Sequence, residues 1–175
     1  ERWTEVSLAS KRFGKLSLGK GDTASNNSSQ VDLSKTDVVL YSSVSDIAGG
    51  LLFRQKNADD TLTNVSVSDA FKDFDGLSRR NRVRYDTPKW AGFYVSGGTG
   101  QGSIWDAALR YSGDFGWAKL AAAAAYSDGG NRFNYDEQVS SSASLLFDFG
   151  LNLTASYAIQ DTDGTSKDPW NIFGK

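Results

Sequence analysis

The chain has 175 residues, with 19 basic and 21 acidic side chains and a net charge of −2. That near-balance excludes a nucleic-acid footprint built from bulk basic charge. Cys and His are both absent, which removes disulfides, the usual zinc ligands, cysteine nucleophiles and imidazole acid–base chemistry. No apolar run reaches the length of a spanning helix. With no Met and no leader pattern, the expectation is a processed or partial chain. Gly is plentiful at 18, Pro is scarce at 2 and aromatics reach 13%, which suits twisted antiparallel strands.

In chain order, the first predicted strands are Arg2 to Ala9 and Lys15 to Gly19, joined through residues 10–14. The second carries Leu16 and Leu18 on one face. The first alternates poorly, with Trp3 and Glu5 on one parity and Val6 and Leu8 on the other. A connection then runs over residues 20–79, far longer than an ordinary loop. Within it, Val38 to Tyr41, Ile47 and Leu51 to Phe53 could pack the loop on a wall or form a further hairpin in 38–56. Phe71, Phe74 and Leu77 fall at helical spacing, so a short helix is predicted within 66–77.

The second half carries the clearest signal. Arg80, Arg82, Arg84 and Asp86 alternate with Asn81, Val83 and Tyr85, and a strand over 93–98 follows. Four further strands are predicted at 104–112, 117–127, 138–148 and 151–160, each with apolar and polar positions alternating. The alanine run from 121 to 125 favours helix by propensity. Its flanking glycine turns and terminal aromatics favour a strand. Short turns at 10–14, 87–92, 112–116 and 149–150 alternate with mostly longer connections. Such rim asymmetry belongs to outer-membrane barrels rather than Greek-key sandwiches.

Periodicity alone does not say which face meets water. The polar face here is rich in Ser, Thr, Asn and Gln with few long charged chains, as a crowded aqueous lumen would be. Aromatics cluster beside the turns: Trp90, Phe93, Trp105, Tyr111, Phe115, Trp117, Tyr126, Tyr135, Phe147, Phe149 and Tyr157. Collectively they read as interfacial girdles. Strands of about 9–11 residues are long enough to cross hydrocarbon when tilted.

Three segments carry a family resemblance. They are Phe13-Gly14-Lys15-Leu16-Ser17-Leu18-Gly19-Lys20-Gly21-Asp22-Thr23, Asn81 to Pro88 with Gly92-Phe93, and Gly113-Asp114-Phe115-Gly116 leading into a long strand. In combination they resemble the Gram-negative general porins, over essentially the whole chain. The resemblance implies an all-β, antiparallel up-and-down transmembrane β-barrel, of which residues 1–175 supply about eight of about 16 strands. It implies a water-filled outer-membrane channel for passive diffusion of small hydrophilic solutes and ions. Homotrimerisation and contact with the lipid bilayer and lipopolysaccharide come with it; catalysis, cofactors, metals and nucleic acid do not. The alternative is a surface-exposed β-rich binding or adhesion module using its long loops. A barrel enzyme is disfavoured by the missing His and the lack of a Ser-based constellation.

In that family the loop after the Gly-Lys-Gly strand narrows the pore, a role the resemblance gives to residues 21–78. That loop carries nine aspartates against four cations, net −5, while 79–89 is net +4. The expected constriction therefore sets a basic wall of Arg80, Arg82 and Arg84 against loop acids Asp59, Asp60, Asp69, Asp73 and Asp75. Asp106, Arg110 and Lys119 are expected to face the lumen. Other candidates are weak. Asp161-Thr162-Asp163-Gly164 lacks most calcium-loop ligands. Asp136 and Glu137 point to opposite faces of a strand. The glycines of 97–102 lack a Gly-Lys-Ser/Thr ending.

Overall fold

The computed structural model describes residues 3–36, 45–56, 61–72, 74–133, 135–161 and 170–174. Nine strands form one antiparallel sheet in which each strand pairs with its sheet neighbours in chain order. They are β1 (Thr4–Ser10), β2 (Gly14–Asp22), β5 (Arg79–Asp86), β6 (Phe93–Gly100), β7 (Ile104–Asp114), β8 (Ala118–Asp128), β9 (Glu137–Phe147), β10 (Asn152–Asp161) and β11 (Trp170–Gly174). The ninth, β11, exceeds the eight expected and pairs with β10 through Ile159↔Trp170 to Ala155↔Gly174. β1 and β11 are the outer strands of the sheet.

Between β2 and β5, β3 (Leu52–Arg54) and β4 (Leu62–Ser66) form a separate two-stranded sheet. This pair is not the hairpin expected within 38–56, of which 38–44 lie outside the described residues, and it does not add to the main sheet. The expected helix is one turn only, α2 (Val67–Ala70), after an earlier turn α1 (Ser45–Ala48). Phe71 is already extended, and Leu77 is buried by packing with Ile104 and Tyr135 rather than by helical periodicity. Tyr135 thus belongs to a small buried cluster and not to a girdle.

Four turns, at 11–13, 87–92, 115–117 and 148–151, share one rim. The connection 23–78 and those after β6, β8 and β10 share the other. Gly14 and Gly150 take φ of +82° and +94°, a conformation glycine adopts without a Cβ clash.

The sheet is inverted relative to a soluble protein. Ser17, Ser96, Ser127, Ser140, Ser142, Ser144 and Thr154 are buried on one face. Val6, Leu18, Val83, Val95, Leu109, Val139 and Leu153 are exposed on the other, Leu109 at 47% and Leu153 at 52%. β1 follows the same rule: Val6 and Leu8 stand on the apolar face and Glu5 on the hydroxyl face. The alanine run is β8, with Ala123 and Ala125 buried on the hydroxyl face. Aromatic pairs edge the apolar face. Phe93–Tyr111 (4.5 Å), Trp117–Phe147 (5.8 Å) and Phe147–Phe149 (5.2 Å) lie toward the short-turn rim, and Trp105–Tyr126 (5.0 Å) toward the other.

Leu109→Arg places a charge in the middle of the apolar face. In a bilayer it is expected to cost about 2–4 kcal/mol, read as a lower urea midpoint in vesicle refolding. A Ser112→Arg control on the hydroxyl-face parity should leave that midpoint nearly unchanged.

Candidate functional site

The hydroxyl face is covered by the first limb of the long connection, residues 23–36. Its backbone crosses the strands in order. Arg84 Nη1, on β5, donates to the Thr23 carbonyl at 2.8 Å. On β7, Arg110 Nη2 donates to the carbonyls of Ala24 and Asn26, both at 2.7 Å. Asp106 Oδ2, two pleats along the same strand, accepts from the Ser25 N–H and hydroxyl, both at 2.7 Å.

β9 then takes over. The Ser28 and Ser140 hydroxyls meet at 2.5 Å, and the Ser142 hydroxyl donates to the Ser28 carbonyl at 2.7 Å. The Val31 N–H donates to Ser142 Oγ at 2.9 Å and the Leu33 N–H to Ser144 Oγ at 3.0 Å. Finally the Thr154 hydroxyl of β10 reaches Asp32 Oδ1 at 3.3 Å. A buried backbone needs partners for its N–H and C=O groups, and alternate positions of the sheet supply them. Over β8 the limb passes above alanines, which leave room.

The return limb fastens the crossing from the other side. Asp75 accepts from the Asn27 N–H at 2.7 Å and from the Ser29 N–H and hydroxyl at 3.1 Å. The Leu77 N–H donates to Ser25 Oγ at 3.1 Å, and the Gln138 amide donates to the Phe74 carbonyl at 2.5 Å.

The arginines share one parity but not one role. Arg82 is buried; its Nη2 meets Glu5 Oε2 at 2.6 Å and its Nε donates to the Asp22 carbonyl at 2.8 Å. Glu5 lies on β1 and Arg82 on β5, so this ion pair reaches across β2. It does so over Gly21, where any Cβ would collide with both Glu5 Oε2 and Arg82 Nη2. Lys15 Nζ lies 3.8 Å from the other Glu5 oxygen. Arg84 is held by Asp86 on its own strand at 2.7 Å, and Asp86 also accepts from the Ser96 hydroxyl. Arg80 stacks over the Phe133 ring at 4.7 Å, beside the Leu77–Ile104–Tyr135 cluster. Burial pushes the Tyr135 phenol there up to about 12, against smaller opposing effects of Ser127 and Arg80.

Trp3, Glu5, Lys15, Ser17, Asp22, Arg82, Arg84 and Asp86 line a cleft on this face. Its carboxylates are Glu5 and Asp86 rather than the expected loop acids, and Asp22 contributes its backbone carbonyl. Asp69 instead accepts from the Ser66 N–H and hydroxyl at 2.8 and 2.6 Å at the start of α2. Those bonds lower its pKa, so the cap they form is lost as pH falls through that lowered value. Asp75 ties the limb, and Asp59, Asp60 and Asp73 lie outside the described residues. Lys119 stands exposed toward the short-turn rim, 3.8 Å from Asp114.

Sequence reasoning did not single out Glu5, Gly21, Asp86 or the serines of 25–29. Glu5 was obscured by Trp3, which shares its parity.

Asp106→Ala leaves the Ser25 N–H without its acceptor. It is expected to cost about 1–3 kcal/mol and to open residues 23–36 to proteolysis in the membrane-inserted protein, whereas Asp114→Ala should do neither. Gly21→Val is expected to part Glu5 from Arg82 and destabilise by about 1–3 kcal/mol, measured by thermal unfolding in detergent.

The profile of one protein family, described as Gram-negative porin, matches residues 1–174. No curated protein and no solved structure matches the chain significantly. The match spans nearly every residue and agrees with the inverted meander sheet, so the chain belongs to the Gram-negative porin family and is a protein of the outer membrane.

Proposed function

We propose that the protein forms a water-filled channel for passive diffusion of small hydrophilic solutes and ions, with residues 23–36 as the inner strap that narrows it. The observation that carries this reading is the limb lying along the hydroxyl face, held by side chains of β5, β7, β9 and β10. A strap fixed at that many points reduces the aperture without a moving part. Solutes that keep hydrogen bonds to Ser, Asp and Arg groups lose little on entering. Apolar solutes must displace ordered water and gain nothing in return. Pore width and lining charge then set selectivity.

In this reading Arg82 and Arg84 remain the basic wall of the constriction, and Glu5 and Asp86 are their counter-charges. The opposing charges sit side by side on the wall, so the field is short-ranged. A homotrimeric assembly belongs to the same proposal, on family membership alone.

Single-channel recording of the full-length protein in planar bilayers tests the reading. Stepwise, ohmic conductance with weak ion preference is expected; a detergent-independent soluble protein without conductance would refute it. Replacing Arg82 and Arg84 by Ser is expected to shift the reversal potential in a salt gradient toward cations, because Glu5 and Asp86 lose their partners. An unchanged potential would remove both arginines from the conduction path.

A further inference from the structure

The hydroxyl face changes character at its long-loop end. Asp106, Ser127, Gln138 and Gln160 are successive cross-strand partners on β7, β8, β9 and β10, so they form one row across that face. The row lies one pleat nearer the long-loop rim than the row of Ala108, Ala125, Ser140 and Ala158. In outer-membrane barrels the long loops face outside, so this row marks the outer mouth of the strapped face.

Beside its Gln138–Gln160 end, a cleft of about 290 Å³ opens between the return limb and the β8–β9 connection. The walls are mostly aromatic, with Phe71 and Phe74 from the limb and Phe133 and Tyr135 from the connection. These rings do more than anchor the long connection. The anchor is Leu77, Ile104 and Tyr135 with Phe133 packed against them, and Phe71 and Phe74 stand outside it. Phe71 is 50% exposed. Phe74 takes φ of +49°, a costly conformation for an aromatic residue, and the Gln138 amide holds it there by donating to its carbonyl. Phe133 meets Tyr135 at 5.1 Å and carries Arg80 over its ring at 4.7 Å. Such a wall leaves apolar surface in water on a face otherwise built of hydroxyls and alanines. A planar ring that stacks on it removes that surface from water.

Charge and hydrogen bonding narrow the ligand further. Among the described residues that line the cleft, Lys72 is the one charged side chain and there is no acid. Its ammonium carries three donors. The Gln160 amide donates to Gln138 Oε1 at 2.6 Å, which leaves its second N–H and its own oxygen for another partner. These groups suit a ring that ends in a carboxylate. A sugar ring needs several hydroxyl partners, and the cleft offers few. Its volume is at the small end of ligand sites, with room for one ring.

We propose that this cleft is a subsite for small aromatic carboxylates at the outer mouth of the channel, with the ring among Phe71, Phe133 and Tyr135 and the carboxylate met by Lys72 and Gln160. The proposal names a solute class for the channel and rests on that reading for its role. Capture here raises the local concentration of such solutes before they reach the strap.

The test uses the full-length protein. In detergent, binding of benzoate, benzamide, cyclohexanecarboxylate and glucose is titrated by saturation-transfer NMR, with protein-free micelles as the control for partition. In planar bilayers the same solutes are added on the long-loop side and current interruptions are counted. The wild type should bind benzoate about fivefold more tightly than cyclohexanecarboxylate, which keeps the charge but has no aromatic face. It should prefer benzoate over uncharged benzamide by a similar factor, about fivefold. Phe71→Ala and Lys72→Gln should each lower benzoate affinity about fivefold, and an unchanged affinity in either variant would overturn the site. Equal wild-type affinity for benzoate and cyclohexanecarboxylate would overturn the aromatic class, and tighter binding of glucose would overturn it in favour of a sugar. A protein that conducts but neither binds benzoate nor is interrupted by it refutes the subsite and leaves the channel standing. One that binds benzoate with these preferences but never conducts refutes the channel and the role at its mouth, while the cleft remains a binding site. If Phe71→Ala has unfolded, shown by loss of its heat-modifiable band, Lys72→Gln at its exposed position decides alone by the same criterion.

Discussion

The structure depends on satisfying the backbone of residues 23–36 where it crosses the sheet. Each N–H and C=O taken from water needs a partner, and leaving one unmade costs about 1–3 kcal/mol. The crossing finds them in side chains: Asp106, Asp75 and Ser144 for N–H groups, Arg84 and Arg110 for carbonyls, and Ser142 for one of each, while Ser140 meets the Ser28 hydroxyl. This demand explains a composition that would be odd in an ordinary core. Ser at every second position of β9 and Ala at the matching positions of β8 make a surface both close and polar. A larger aliphatic at position 142 would push the limb away and leave its N–H groups bare.

The inversion of the sheet follows from the same constraint. With one face given over to hydrogen bonding, the aliphatic residues have only the other, and there they remain exposed unless a bilayer covers them. In a chain of the porin family that cover is lipid. Interstrand hydrogen bonds satisfy the backbone within the sheet, so the apolar face offers hydrocarbon nothing but side chains. The small cluster of Leu77, Ile104, Tyr135 and Phe133 is the only hydrophobic core among the described residues, and it anchors the end of the long connection rather than the sheet.

Charge on the strapped face is handled by pairing at short range. Arg82 is nearly inaccessible, and a buried arginine without a partner would cost several kcal/mol. Glu5 supplies the partner from two strands away, and Gly21 makes the passage possible by having no side chain. Arg84 uses Asp86 within its own strand. Two of the five cations in the basic stretch, Arg82 and Arg84, are thus neutralised by acids of the wall. Among the described acids of the long connection, Asp69 caps α2 and Asp75 holds the limb.

The sequence by itself determined the strands, their alternation and the rim asymmetry, because a period of two is imprinted locally in every pleated strand. Residues 138–148 and 151–160 declare their faces without reference to anything else in the chain. It likewise determined that Arg80, Arg82 and Arg84 lie on one side. Tertiary structure alone decided which acids meet those arginines and which serines hold the limb. Those partners are separated by up to about 80 positions for the Glu5–Arg82 and Ser25–Asp106 contacts, and by more for Ser28–Ser140. Nothing local encodes them: a carboxylate reads the same in sequence whether it caps its own helix, as Asp69 does, or fastens a distant backbone, as Asp106 does. The register of the assembled sheet, and the path of the limb across it, make that choice.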